Sequence, residues 1–314
     1  MKAIGRLTKI EIRELWKGEA TDFTPWLATE ENIAFLGETI GIELEVQEEE
    51  KNVGVFRADI LCKDTLTDKF VLIENQLERT DHNHLGQLMT YAAGLDAVTI
   101  IWIAKTFSDE HRAALDWLNN ITGETVNFFG IEIEVYKIGD SLPAPMFQMV
   151  AKPNNWSKSV RSSAKASTEL TPTKQLNLEY WEAMRKYFET TGTFLRFQTP
   201  QPQHWMNFSV GRSNFHFSTI VSVRDHFIRI DLYISGNNAK DQFFKLKNQC
   251  EDEAGKIFNG GLNWNELPEA KVSIVELRKS ANTSKRSEWQ EQHEWFRENL
   301  EKMDKFFRPK IKAL

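Results

Sequence analysis

At 314 residues, with 41% hydrophobic and 27% charged side chains, the chain holds enough apolar material for about two domains without disulfide or metal staples. No run approaches the roughly 18 to 20 uninterrupted apolar residues of a membrane span, and charge enters too early for a secretory leader, so a cytoplasmic protein with no membrane partner is expected. The net charge of −6 is uneven: residues 1–150 hold 13 Lys and Arg against 26 Asp and Glu, whereas residues 151–314 hold 26 against 19. An acidic half suits metal binding and a basic half suits a polyanion, although solvated faces of different charge would look the same. Cys62 and Cys250 lack the paired spacing of a zinc or redox motif and read as reduced thiols.

In chain order, the first predicted element is a helix over ATEENIAFLGETIGI, with Ile33, Phe35, Leu36, Ile40 and Ile42 apolar, Thr29 suited to an N-cap and Gly41 to a stop. IELEVQE alternates strictly, and VGVFRADILC and KFVLIENQ are β-rich runs separated by polar turn residues, which predicts a three-strand meander. A helix capped by Thr80 or Asp81 runs through HNHLGQLMTYAAGL, and AVTIIWIA is the continuous apolar run of a strand buried on both faces. A helix through DEHRAALDWLNNI and an alternating strand, VNFFGIEIEVYKI, complete a 1–150 domain. Residues 151–173, rich in Ser, Lys, Asn and Pro, read as a linker. Beyond it a smaller α+β domain, 174–314, is predicted: a helix at about 174–190, three strands between 206 and 235, a helix at about 238–257, a strand near 271–278 and a final helix at about 286–307.

The hairpin in the first domain carries the chemistry. If strands ending at Asp64 and beginning at Lys69 are joined by the four-residue loop Thr65-Leu66-Thr67-Asp68, paired positions total 133 and Asp59 faces Glu74, with Cβ atoms about 5 Å apart. Alternation puts Leu61, Lys63, Phe70, Leu72 and Gln76 on their face, while Ile60, Cys62, Val71 and Ile73 make the other face wholly apolar. Two anions so close raise each other's proton affinity unless a cation lies between them, and Mg²⁺, or Mn²⁺, takes such oxygen ligands. The alternative is an ordinary hairpin with acidic surface positions. Like charges placed opposite one another destabilise a strand pair, which weighs against it.

Helix, three-strand meander, helix and strand, with Asp59 on the second strand and Glu74-Asn75-Gln76 on the third, resembles the PD-(D/E)xK nuclease superfamily, the restriction-endonuclease-like fold with its mixed sheet and αβββαβ core. The resemblance covers about 120 residues and extends to a Gln-x-x-x-Tyr spacing at Gln87 and Tyr91 in the next helix, with His84 on the same face. The stretch IENQLERTDHNHLGQLMTYAAGLDA also resembles a bacterial group in which this domain precedes one of unknown function. The resemblance implies that Asp59 and Glu74 bind the metal. It also implies that Gln76 stands where a lysine usually orients the attacking water and would itself position that water by hydrogen bonding, that either Lys63 or Arg79 supplies the missing cation or activity is slow or absent, and that Glu31 or Glu38 could add a carboxylate. It implies metal-dependent hydrolysis of nucleic acid, DNA favoured over RNA, with a catalytically degenerate, binding-only fold as the alternative.

Other residues carry weaker readings. His82 and His84 form an HxH pair with no third zinc ligand in evidence, and His111 and Arg112 are expected on a solvated helix face. In the second domain, Arg212, Arg224 and Arg229, interleaved with Trp205, Phe208, Phe215, Phe217 and Phe227, could grip nucleic acid or could be alternating core and surface positions. Trp289, Trp295, Phe296, Leu300, Met303 and Phe307 recur at helical spacing, as in a packing helix or a homodimer helix.

Overall fold

The computed structural model describes residues 4–53, 56–95, 99–122, 126–153, 171–198 and 200–314, with the backbone alone for 50–53, 56, 57, 91, 92, 94 and 95. The chain divides into two compact units, Met1–Lys165 and Ala166–Leu314. Most of the linker expected at 151–173 lies outside the described residues.

In the first unit, strand β1 (Leu7–Ile10) leads into α1 (Ile12–Leu15), a π-helical turn (Glu19–Phe23) and α2 (Thr24–Leu27). Helix α3 (Glu30–Ile40) starts at Thr29, whose hydroxyl accepts from the Asn32 N–H, and stops at Gly41, where φ is +77° and a Cβ would be strained. Strands β2 (Leu44–Val53), β3 (Phe56–Asp64) and β4 (Phe70–Arg79) form the expected antiparallel meander. Helix α4 (His82–Leu95) then crosses to β5 (Thr99–Thr106), and α5 (Asp109–Ile121) crosses to β6 (Asn127–Ile138), so that β4, β5 and β6 run parallel. Two strands were not foreseen: β1, only four residues long, and β7 (Ala144–Ala151), both antiparallel to β6. The result is a seven-stranded mixed sheet with the path β1-β6-β5-β4-β3-β2.

Both faces of this sheet are core. Ile60, Cys62, Val71, Ile73, Ile101 and Ile103 pack against Ile12, Phe23, Leu27, Ile33 and Leu36 of the N-terminal helices. On the other face Leu72, Ile100, Trp102 and Phe128 pack against Leu88 of α4 and Leu115 and Leu118 of α5. The alternative of an ordinary hairpin with acidic surface positions therefore fails for β4, where Val71 through Leu77 are all buried. The physical reason is topological, because a parallel neighbour requires a crossover helix, and that helix covers the face that alternation alone would leave to solvent.

The second unit contains α6 (Pro172–Thr191), β8 (Trp205–Ser209), β9 (Phe215–Ser222), β10 (Phe227–Ile234), α7 (Ala239–Ile257), β11 (Leu262–Asn265), β12 (Ser273–Ser280) and α8 (Trp289–Lys312). Its five strands are antiparallel in the order β11-β12-β10-β9-β8, with the short β11 unforeseen. One sheet face meets all three helices in a core rich in aromatics, into which α8 sends Phe296, Leu300, Met303 and Phe307. The apolar stripe of α8 is thus spent on internal packing. Among the described residues no helix is long and apolar enough to cross a membrane.

Candidate functional site

The hairpin register follows the loop. The Asp64 N–H donates to the Lys69 carbonyl at 3.0 Å, the Asp68 N–H returns to the Asp64 carbonyl at 2.8 Å, and Asp68 takes the left-handed φ of +57° that closes a four-residue loop. Ladder partners then run Lys63–Phe70, Cys62–Val71, Leu61–Leu72 and Ile60–Ile73, every pair totalling 133. The ladder pairing ends at Ile60–Ile73, one step short of Asp59 and Glu74. There the strand is irregular: Ala58 packs with Leu72 and Leu88, whereas Ile60 packs on the opposite face, so the alternation of β3 breaks at Asp59. The Asp59 carboxylate uses the break to accept a 2.7 Å hydrogen bond from the Asn75 backbone N–H, which fixes it against the peptide that follows Glu74.

Glu74 is 4% exposed, so the reading of it as an acidic surface position fails. Burying an ionised carboxylate costs several kcal/mol unless hydrogen bonds or opposite charge compensate. The neighbours of Glu74 on β4 hold the strand in place. Asn75 pairs through its side-chain amide with the Thr24 hydroxyl of α2, and the Leu77 N–H donates to the Glu19 carboxylate at 2.8 Å. Glu19 is the carboxylate that the N-terminal segment does bring to this strand, and no periodicity marked it. Glu31 and Glu38 are instead exposed on α3, which packs on the sheet face opposite that of Trp102.

Gln76, 2% exposed, has both ends of its amide engaged. Its Oε1 accepts from the Trp102 indole N–H at 2.9 Å, and its Nε2 donates to the Arg79 carbonyl at 2.8 Å across a β-bulge where the β4–β5 register shifts between Gln76 and Arg79. The indole is a donor only, which settles which end of the amide is oxygen. A lysine here would have no acceptor to offer Trp102. Lys63 stands beside the hairpin loop, about 13 Å along β3 from Asp59 at 3.3 Å per residue, with its ammonium over the Phe70 ring. Arg79 is exposed at the end of β4.

Beyond the bulge, Asp81 caps α4: its Oδ1 accepts from the His84 N–H at 2.9 Å, and its Oδ2 lies 2.8 Å from His84 Nδ1 and 3.4 Å from Gln76 Nε2. Gln87 is half-buried one turn further on, and the Tyr91 side chain lies outside those described. His82 is exposed, and its Nδ1 meets His111 Nε2 at 2.9 Å. His111 corrects an expectation. It is 5% exposed, with Nδ1 at 2.8 Å from the Thr80 hydroxyl and 3.1 Å from that of Ser108, the N-cap of α5. Helical charge patterning misses it because its partners sit on another strand and helix. Burial leads the effects that hold its pKa below the ordinary value, followed by the neighbouring His82. Arg112, as expected, is exposed.

The donor set can be weighed against the implied metal. Two carboxylates from adjacent strands, one anchored by a backbone amide, are the hard oxygen donors that Mg²⁺ or Mn²⁺ takes while keeping water or substrate in its remaining positions. Among the described residues no group of three or more His, Cys, Asp or Glu side chains is assembled to hold a metal ion. The set therefore fits a cation shared with solvent and substrate, and not a closed cage.

In the second unit, Phe208, Phe215 and Phe217 are core, while Trp205 is 36% exposed and Phe227 is half-buried with the Arg278 guanidinium 3.8 Å above its ring. Arg229 pairs with buried Asp231 at 2.8 Å and with Glu276 at 3.1 Å, and Arg212 donates to the Ile311 carbonyl. Arg224 is exposed in the β9–β10 turn. Two of the three arginines singled out by sequence thus already have partners within the unit.

Residues 176–311 match the model of a domain of unknown function, DUF4268. No curated protein matches the chain. Among solved structures, the chain is similar to a repair endonuclease from Pyrococcus abyssi, at 18% identity and a TM-score of 0.26 over 32% of this chain and 45% of that one. It is similar also to EndoMS in a complex with double-stranded DNA, at 22% identity and a TM-score of 0.26 over 33% of this chain and 45% of that one. The chain thus spans less than half the length of either.

Proposed function

We propose that the first unit hydrolyses phosphodiester bonds of nucleic acid, DNA in preference to RNA, at a divalent-metal site held by Asp59 and Glu74. The observation that supports this reading is the 2.7 Å hydrogen bond from the Asn75 N–H to the Asp59 carboxylate, which ties one acid to the peptide that follows a second, buried acid on the neighbouring strand of a seven-stranded sheet. Bound there, Mg²⁺ or Mn²⁺ would supply Lewis acidity toward a phosphoryl oxygen. Asp59 and Glu74 orient the site from two strands, and Gln76 braces the bulge that carries the chain to Asp81 and His84.

One observation favours a second reading, a binding-only module: the Gln76 amide is engaged internally at both ends and offers no cation to a developing negative charge. Purified full-length protein incubated with plasmid and single-stranded substrates in Mn²⁺ separates the two. Cleavage that falls at least about a thousandfold in Glu74→Ala supports hydrolysis, since a metal contributes several kcal/mol and each ~1.36 kcal/mol is tenfold. Binding without cleavage supports the module, and neither activity rejects both. Calorimetric titration with Mn²⁺ tests the ligands directly, because a heat signal that persists in Asp59→Ala would remove Asp59 from the site.

A further inference from the structure

The Asp81–His84 pair has a defined direction. Burial of Asp81 opposes ionisation, but hydrogen bonds from the His84 N–H and the His84 ring outweigh it and hold the carboxyl below its ordinary range. Asp81 is therefore a carboxylate at neutral pH, an acceptor with no proton to give. The contact of 2.8 Å then requires the His84 proton to sit on Nδ1, which leaves the lone pair of the neutral ring on Nε2. The His84 side chain as a whole is 27% exposed. The same carboxylate oxygen is also tied to the sheet: Gln76 Nε2 lies 3.4 Å from Asp81 Oδ2, and Gln76 is itself held by Trp102. Gln76 and Glu74 are two residues apart on one strand, about 7 Å along it, and project to the same face.

We propose that His84 is the general base of the hydrolysis, with Asp81 and Gln76 as positioning residues. The inference rests on the function proposed above and answers the question raised by the missing lysine: position 76 braces a base instead of being one. In the step, a water oxygen forms a bond to phosphorus while His84 Nε2 takes one of its protons. The bond from phosphorus to the leaving oxygen breaks, that oxygen takes a proton from solvent, and the imidazolium returns its proton to solvent.

The test is single-turnover cleavage of end-labelled single- and double-stranded oligonucleotides by the full-length chain in Mn²⁺, comparing wild type, His84→Ala, Asp81→Asn and Glu74→Ala. General-base removal typically costs about 10²- to 10⁴-fold, so His84→Ala is expected to lose at least about a hundredfold in kcat with KM little changed. Added imidazole should restore part of the rate in His84→Ala and none in Glu74→Ala, and Asp81→Asn should lower kcat while KM holds. Should His84→Ala melt early, His84→Gln, which keeps a polar side chain, takes its place. Wild-type rates in the His84 variants, or slow variants that imidazole does not rescue, would overturn the base assignment and leave the metal-dependent hydrolysis standing. A wild type that cleaves no substrate would overturn the hydrolysis and this assignment with it.

Discussion

Replacing His293 by Phe should change how the stability of the second unit depends on pH, by an amount the structure fixes. His293 lies on α8, 2% exposed, with the rings of Tyr180, Tyr187 and Trp289 at 4.6, 6.2 and 6.2 Å and no hydrogen-bond partner for Nε2. Burial pulls its pKa from 6.5 down to about 4. Between those values the unfolded chain binds a proton that the folded chain refuses, so the contribution is complete above pH 6.5 and is lost as pH falls toward 4. A gap of about 2.5 at ~1.36 kcal/mol each amounts to roughly 3 kcal/mol. Asp231 acts in the opposite sense. Burial pushes its pKa up to about 6 despite Arg229, so its ionisation costs stability at neutral pH, and that cost is relieved as pH falls from 6 toward 3.8. The two slopes largely cancel in the wild type, and only a comparison with a non-titrating variant separates them. Urea unfolding of the full-length protein followed by tryptophan fluorescence, at pH values from 7 to 4, gives the stability of both proteins. The advantage of His293→Phe over wild type should grow by roughly 3 kcal/mol from pH 6.5 to 4. A difference that stays constant across that range would refute the claim that the buried imidazole remains neutral.

Trp102→Phe keeps an aromatic ring, though a smaller one, in a fully buried site and removes the donor to Gln76 Oε1, leaving a buried carbonyl oxygen without that hydrogen bond. A loss of about 1–3 kcal/mol is expected in chemical denaturation of the first unit, whereas an unchanged midpoint would mean that the amide finds another donor. Gly37→Ala would place a Cβ 2.5 Å from the Ile42 carbonyl oxygen, where the chain turns back from α3 toward β2, and should cost about 1–3 kcal/mol. Gly86→Ala in α4 meets nothing within 4 Å and should stabilise by up to about 1 kcal/mol, so thermal melts of the pair should move in opposite directions.

Much of the fold around the candidate site was legible in the sequence. The loop Thr65–Asp68 has one length, that length sets which residues of β3 and β4 pair, and the pairs total 133 as expected. Thr29 and Gly41 bound α3, and the run around Ile100 to Ile103 is buried on both faces. What escaped the sequence was contributed by distant segments. Glu19 reaches Leu77 across 58 positions, His111 reaches Thr80 across 31, and Gln76 reaches Trp102 across 26. Strands β1 and β11 escaped for a related reason: segments of four residues carry too little periodicity to identify themselves until a longer neighbour offers them an edge.

Local chain chemistry alone determined the order of most elements and the hairpin register from Lys63–Phe70 to Ile60–Ile73, because turn length and period-two alternation act between residues close in the chain. Tertiary structure alone decided that Glu74 is buried, that the Gln76 amide is occupied, and that this amide lies against the local Asp81–His84 cap. Those outcomes depend on which helix covers which face and on how β4 ends, and burial of a polar group takes its meaning from the partners that folding brings to it.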